Sequence, residues 1–378
     1  MKEINFYSFG DSHKLSTWSN VPYLFAEALE KKGFKLNRID ISPPKTINHL
    51  FNSLSFLFFQ RIFSFKSCPI YQRTFVHRWI IERRLKKVSK KYPNADLNLF
   101  LSYGFINKYS VKPNILWCDW TDRIVIERLG RPPQWYERRS LTHEDIAINN
   151  ADAVFTMFPK CQQIMEAMYG RKIEYLHRNV VNSVYKGPFD NKSNIEQRKN
   201  SQAILFIGNI RYKSGALILI KAIKELQKTN PDLTLHIIGM SQTDLPSSKN
   251  VICHGYLHKD IARERDEYYE LLLSCKCLVN PTKGWAGYSS CIEAMYHGCP
   301  IIISHFEDFE EEFGNSISFG YYCDDNDLKE KLLNMMASSS EYVKMCNAAH
   351  QAVKDYTWDN YVDLFIQSLQ SKGFLCNK

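Results

Sequence analysis

A chain of 378 residues, 44% hydrophobic and 24% charged, has enough apolar surface for two domains of ordinary size and too little polarity for long disorder. Its charge is lopsided: residues 1–189 hold 29 Lys/Arg against 16 Asp/Glu, and residues 190–378 hold 20 against 24, so the first half prefers an anionic partner. The eleven cysteines are odd in number and often sit in apolar runs, as Cys253, Cys277 and Cys299 do, which excludes a disulfide framework and fits small core hydrophobes.

The opening MKEINFYSFGD is a strand rather than a basic flank with an apolar core, so the expected location is cytoplasmic. A helix over VPYLFAEALEKK follows, with Asn20 as its expected cap and Gly33 just past its end, and FKLNRIDI supplies a second strand. The loop between first strand and helix contains Asp11, His13 and Trp18, at the place where such βαβ units hold ligands.

Between Lys45 and Lys91 the character changes, with eleven Lys/Arg against one acid, Glu82, interleaved with Phe51, Phe56, Phe58, Phe59, Phe63 and Trp79. The apolar run is too short to span a bilayer and is broken by Gln60 and Arg61. It reads as a face toward an anionic membrane, or as helices covering a core. No nucleic-acid-binding motif accompanies the charge, so nucleic acid is not expected as the partner.

Strands ADLNLFLSY, PNILWCDW and DAVFTMF alternate with helical pieces, the last of them CQQIMEAMYG ending at Gly170. Residues 186–201 are polar, with Gly, Pro and Ser and no hydrophobic period, and mark the expected boundary. The expected division is 1–190, 191–355 and a closing helix over 356–378.

The second half begins with AILFIG, then GNIRYKSG at 208–215, then a helix. Gly208 lets the backbone turn tightly, Asn209 follows it, the helix N-terminus offers free amides, and Arg211 with Lys213 adds fixed charge, a set that suits a diphosphate. It is neither a P-loop nor a dinucleotide fingerprint. An ordinary strand-to-helix turn with two solvated cations has the same composition.

About eighty residues on, VNPTKGWAGYSSCIEAMYHGCP runs from a strand through a loop with Trp285, Gly287 and Tyr288 into a short helix. Ser289 and Ser290 are expected to cap it, and Glu293, one turn in, is placed to accept from two adjacent hydroxyls. Acidic runs at Asp119–Asp122 and Asp324–Asp327 read as structural rather than as metal sites.

These residues resemble the retaining glycosyltransferases of family 4, closely after Ala203 and loosely before it. Glu293-Ala-Met-Tyr-His-Gly298-Cys-Pro300 is similar to that family's E-A-M-x-x-G-x-P motif. The resemblance implies the GT-B fold: α/β, two Rossmann-like domains with parallel sheets facing across a cleft, and a last helix returning to the first domain. It implies transfer of a hexosyl unit, with retention, from a nucleoside-diphosphate sugar to a glycan or lipid-linked glycan in cell-surface polysaccharide synthesis. No metal and no further cofactor are expected.

Carried over residue by residue, Arg211 and Lys213 would hold the diphosphate and Glu293 the ribose. The loop at Gly208 and Asn209 and the amides near Tyr288, Ser289 and Ser290 would touch phosphate or sugar, and Gly255 and Tyr256, with His254, would border the base. Asp119 is the member that matches the family's His-Asp pair, with Cys118 in the other place; Asp11, His13 and Trp18 would meet the acceptor. Trp285 stands where the family has a sugar-contacting carboxylate, and Asn209 where it has an arginine. An epimerase of the same architecture and a glycan-binding subunit without catalysis remain alternatives.

Overall fold

Every strand pair in the computed structural model is parallel. The structure describes residues 2–63, 68–176, 180–187, 191–284, 288–337 and 340–375. The chain divides into two units, Met1–Arg178 with Tyr361–Lys378, and Asn179–Asn360.

In the first unit β1 (Glu3–Ser8), β2 (Lys35–Asp40), β3 (Leu97–Phe100), β4 (Asn114–Cys118), β5 (Ala153–Thr156) and β6 (Glu174–Tyr175) form one sheet. Their order is β2-β1-β3-β4-β5-β6. The strand order reverses between β1 and β3, so the loop after β1 opens at a switch point, where parallel α/β sheets take their ligands. Strands β3 and β5 are buried along their whole length, as a sheet covered on both faces requires.

An aromatic core holds this sheet to its helices: the Phe25 ring lies 5.0 Å from Trp117 and 5.3 Å from Phe365, and Phe365 lies 4.9 Å from Phe155. Tyr361 and Phe365 come from the chain's last long helix, Trp358–Ser371. Trp117, wholly buried on β4, donates from Nε1 to the Tyr361 hydroxyl at 2.7 Å. Burial of such rings, at roughly 25 cal/mol per Å2 of apolar surface, makes that helix part of the first unit's core.

In the second unit β7 (Ala203–Ile207), β8 (Thr234–Ile238), β9 (Val251–Gly255), β10 (Cys277–Asn280), β11 (Ile301–Ser304) and β12 (Gly320–Cys323) pair in the order β12-β11-β10-β7-β8-β9. The reversal lies between β7 and β10. Ile204, Phe206, Leu235, Ile237, Val279 and Ile302 from one face of the sheet pack on Leu219, Ile220 and Ile223 of the helix Lys213–Leu226 and on Leu328 and Leu332.

Two local expectations fail for identifiable reasons. Asn20 does not cap the helix Val21–Lys31 through its side chain; it has φ +72°, the last of three left-handed residues after Trp18 (φ +40°) and Ser19 (φ +51°). Residues 191–199, part of the polar stretch 186–201 without a hydrophobic period, form a helix of the second unit. It holds Ile195 and the wholly buried Arg198, whose guanidinium donates to the carbonyls of Leu272 at 2.7 Å, Cys275 at 3.1 Å and His297 at 3.0 Å. Carbonyls that meet both terminal nitrogens offset the cost of burying this charge, and hydrophobic periodicity does not register them.

Candidate functional site

Both sequence motifs of the second half lie at the β7/β10 switch point. The loop after β7 passes into a 3-10 turn, Ile210–Tyr212, and then into the helix Lys213–Leu226, whose first turn has no side-chain cap. The Asn209 side chain instead accepts from the Arg211 amide at 3.0 Å and shapes the turn. Arg211 and Lys213 are both exposed.

Glycines make the close approaches here. A Cβ on Gly215 would stand 2.1 Å from Thr282 Oγ1 and 2.8 Å from its backbone nitrogen, so the first turn of this helix lies directly on the loop after β10. A Cβ on Gly239 (φ +103°) would stand 2.6 Å from the Gly208 carbonyl oxygen, so there is no room for a side chain. Its amide donates to the Gly255 carbonyl at 2.7 Å, and the Gly208 amide donates to Ile238 at 2.9 Å. The carboxyl edge of β7, β8 and β9 is thus bare backbone beside two cations.

The second motif forms the helix Tyr288–Tyr296. Trp285 and Gly287 lie outside the described residues. Ser289 and Ser290 are inside the first turn rather than at the cap, and Ser289 Oγ accepts from Asn182 Nδ2 at 3.0 Å. The ring of Tyr288 is buried against Phe306 and Phe309, so its contribution to an open site is its backbone.

Glu293 sits at the centre of a buried polar cluster that sequence reasoning missed. Lys259 Nζ donates to both carboxylate oxygens at 2.7 Å. Tyr268 OH adds a bond of 2.8 Å to one oxygen, and Tyr269 OH one of 2.9 Å to the other. Beyond them, Ser183 Oγ donates to Tyr269 OH at 3.1 Å and pairs with His297 Nε2 at 3.1 Å, and the Val184 amide reaches Tyr269 OH at 2.7 Å. Asn182 joins through its carbonyl, 3.5 Å from Lys259 Nζ, and through Oδ1, which accepts from Trp358 Nε1 at 3.1 Å.

The electrostatics follow from burial. Desolvation depresses Lys259, against the pull of Glu293, and it pushes both tyrosine hydroxyls up, with Glu293 adding to the rise. His297 falls to about 4, chiefly through burial, so it is neutral at physiological pH. Adjacent tyrosines at 268 and 269, on a helix otherwise rich in charge, were the one visible signal of this cluster.

Gly255 ends β9 with φ +70°, and Tyr256 is exposed and edge-on to His258. His254 is engaged elsewhere, bonded to Glu267 at 2.7 Å and to His236 at 3.0 Å.

Asp119 follows β4 in the first unit and accepts from the Trp120 amide at 2.7 Å and the Cys118 thiol at 3.3 Å, and burial pushes its carboxyl up. In the loop after β1, Asp11 accepts from the His13 amide at 3.0 Å, His13 is exposed with Nδ1 3.5 Å from Arg38, and Trp18 packs edge-on to Trp117 at 5.8 Å. Among the described residues, no group of three or more His, Cys, Asp and Glu stands together as metal ligands.

Residues 189–352 match the family model of the glycosyl transferases group 1. No curated protein matches the chain in sequence. In structure the chain is similar to sucrose-phosphate synthase from Thermosynechococcus elongatus, with 13% identity, a TM-score of 0.70 and 99% of each chain covered. It is similar to WaaG, a glycosyltransferase of lipopolysaccharide biosynthesis, with 14% identity, a TM-score of 0.63 and coverage of 96% and 99%. Alr3699/HepE of Anabaena, solved with UDP and glucose, matches with 13% identity, a TM-score of 0.63 and coverage of 99% and 100%. With its two parallel sheets, these likenesses show that the chain has the two-domain, Rossmann-like GT-B fold.

Proposed function

We propose that this protein is a retaining glycosyltransferase that moves a hexosyl unit from a nucleoside-diphosphate sugar to a glycan or lipid-linked glycan, in cell-surface polysaccharide synthesis. The observation that carries this reading is the switch point of the second sheet. There an uncapped helix start, Arg211, Lys213 and the loop after β10 meet within the stretch that matches the group 1 family model. Such a site binds a diphosphate through amides and cations together.

As the glycosidic bond to the diphosphate breaks, negative charge grows on the leaving oxygen. Arg211, Lys213 and the first-turn amides would stabilise it, and on this reading no metal ion is required. Glu293 is the group assigned to the ribose and Trp285 to the donor sugar. Asp119 belongs to the acceptor side, where a carboxyl raised by burial is suited to take up the proton of a hydroxyl.

The acceptor reading extends to an anionic membrane surface at the cytoplasmic face. The helix Lys45–Ser55 and the π-helical turn Phe56–Ile62 expose Leu50 (61%) and Ile62 (57%), followed by Phe63 (64%). Arg83 lies 3.4 Å above the ring of exposed Trp79. Apolar groups that insert and cations that attract phosphate are the two components of reversible membrane binding. Among the described residues no helix is long and apolar enough to cross a membrane.

The test is sugar-nucleotide turnover, with UDP-glucose tried first because the solved Alr3699/HepE structures hold UDP with glucose and UDP-glucose. Arg211→Ala and Lys213→Ala are expected to lower turnover roughly 10- to 1,000-fold while the protein stays folded. Full activity in either folded variant would remove the phosphate loop from the mechanism. Product mass separates transfer from epimerisation, and donor binding without any turnover would mark a subunit that has lost catalysis.

A further inference from the structure

We propose that Lys259 is itself a donor-site residue: its ammonium covers the face of Glu293 that a ribose diol would use, and it must withdraw before the nucleotide is gripped. The proposal rests on the reading of Asn179–Asn360 as a nucleotide-sugar domain.

A carboxylate has about four acceptor positions. Those of Glu293 are taken by two contacts from Lys259 at 2.7 Å, one from Tyr268 at 2.8 Å and one from Tyr269 at 2.9 Å. Two more hydroxyls have no lone pair left to donate to. One of the present donors has to leave.

Lys259 is the donor able to do so. Tyr268 and Tyr269 rise from the helix Ala262–Ser274, which packs on the sheet, and both are buried. Lys259 comes from the segment between β9 and that helix, where Tyr256 and Ile261 are exposed. Its side chain keeps 12% exposure against 4% for Glu293, so within the pair the lysine is the member nearer solvent. A four-carbon stem with rotatable bonds lets the head swing while the backbone stays in place.

The exchange is also electrostatically possible. A withdrawn ammonium leaves a buried carboxylate with two tyrosine donors, and the diol replaces the lost pair of bonds. The nucleotide's diphosphate brings negative charge that offsets the freed cation. Because only the open form accepts ribose, the closed pair lowers apparent affinity by the fraction of molecules that are open.

Titration calorimetry of the whole protein with UDP, GDP and ADP tests this, comparing wild type with Lys259→Gln and Lys259→Arg. For the preferred nucleotide, Lys259→Gln is expected to bind about ten-fold tighter, because the competing cation is gone. Lys259→Arg is expected to bind more weakly than wild type, since a guanidinium fork grips a carboxylate with two parallel bonds. The gain in Lys259→Gln should vanish with the 2′,3′-dideoxy form of the same nucleotide.

Equal or weaker binding by Lys259→Gln, or the same gain with and without the diol, overturns the proposal. If Lys259→Gln does not fold, the arginine variant decides alone: affinity equal to or above wild type overturns it. When wild type binds none of the three nucleotides, the donor-domain reading falls and this proposal with it; measurable wild-type binding without the predicted changes removes the role of Lys259 only.

Discussion

The two units expose their candidate chemistry in opposite ways. In the second, the key carboxylate is buried, paired and bonded to three side chains, Lys259 from the loop after β9 and Tyr268 and Tyr269 from the helix that follows. In the first, the unusual features are a loop with three consecutive left-handed residues, which sets Trp18 against Trp117, and an exposed basic, apolar surface from Lys45 onward. Left-handed backbone at non-glycine residues costs of order 1–3 kcal/mol each and persists only where surrounding structure enforces it. A buried polar cluster tolerates few substitutions, whereas an exposed surface tolerates many.

That contrast breaks most visibly at Glu293. Glu293→Ala should lose about 3–5 kcal/mol of stability, because it leaves the buried hydroxyls of Tyr268 and Tyr269 without their acceptor and drives the Lys259 head out to solvent. Chemical denaturation measures this, and a loss below about 1 kcal/mol would mean the pair is solvated. Nucleotide binding is therefore better tested with Glu293→Gln, which keeps an oxygen for the tyrosines.

His297 gives the next largest effect. Its folded pKa of about 4 lies below the ordinary 6.5, so between these values the unfolded chain binds more protons and stability falls as pH falls. The loss, about 3 kcal/mol in all, should start near pH 6.5 and level off near pH 4. Denaturation midpoints over that range check it. In His297→Gln this part of the slope should disappear, and an unchanged slope would assign the acid sensitivity to other groups.

The smallest expected change in stability belongs to the first unit's surface. Leu57→Ser with Phe58→Ser should alter stability by less than about 0.5 kcal/mol, since both side chains are nearly half exposed. Sedimentation with anionic vesicles should nonetheless fall, and in wild type it should weaken with salt. Equal pelleting of both proteins would return this surface to ordinary solvent exposure.

The legible part of the fold was the part carried by period and punctuation. Alternating strands and helices, the stops at Gly33 and Gly170, and the loops after β7 and β10 follow from hydrophobic runs interrupted by glycine and proline. Polar burial was not legible. Nothing near Arg198 or Lys259 in the sequence marks them as buried, because what admits them to the interior is a set of carbonyls for the first and the Glu293 carboxylate for the second, all far away along the chain. Asn20 failed as a cap for a related reason: the residues before it turn left-handed to place Trp18 against Trp117, and no local rule encodes that contact.

The closing helix bears on how the chain is made. Tyr361, Phe365 and Leu369 fill the first unit's aromatic core, yet they leave the ribosome after all of 179–360. Until then Phe25, Trp117 and Phe155 lack the rings that cover them. The N-terminal sheet is therefore synthesised first and completed last, while the second unit has its whole core in hand earlier, reversing the usual order in which domains mature during translation.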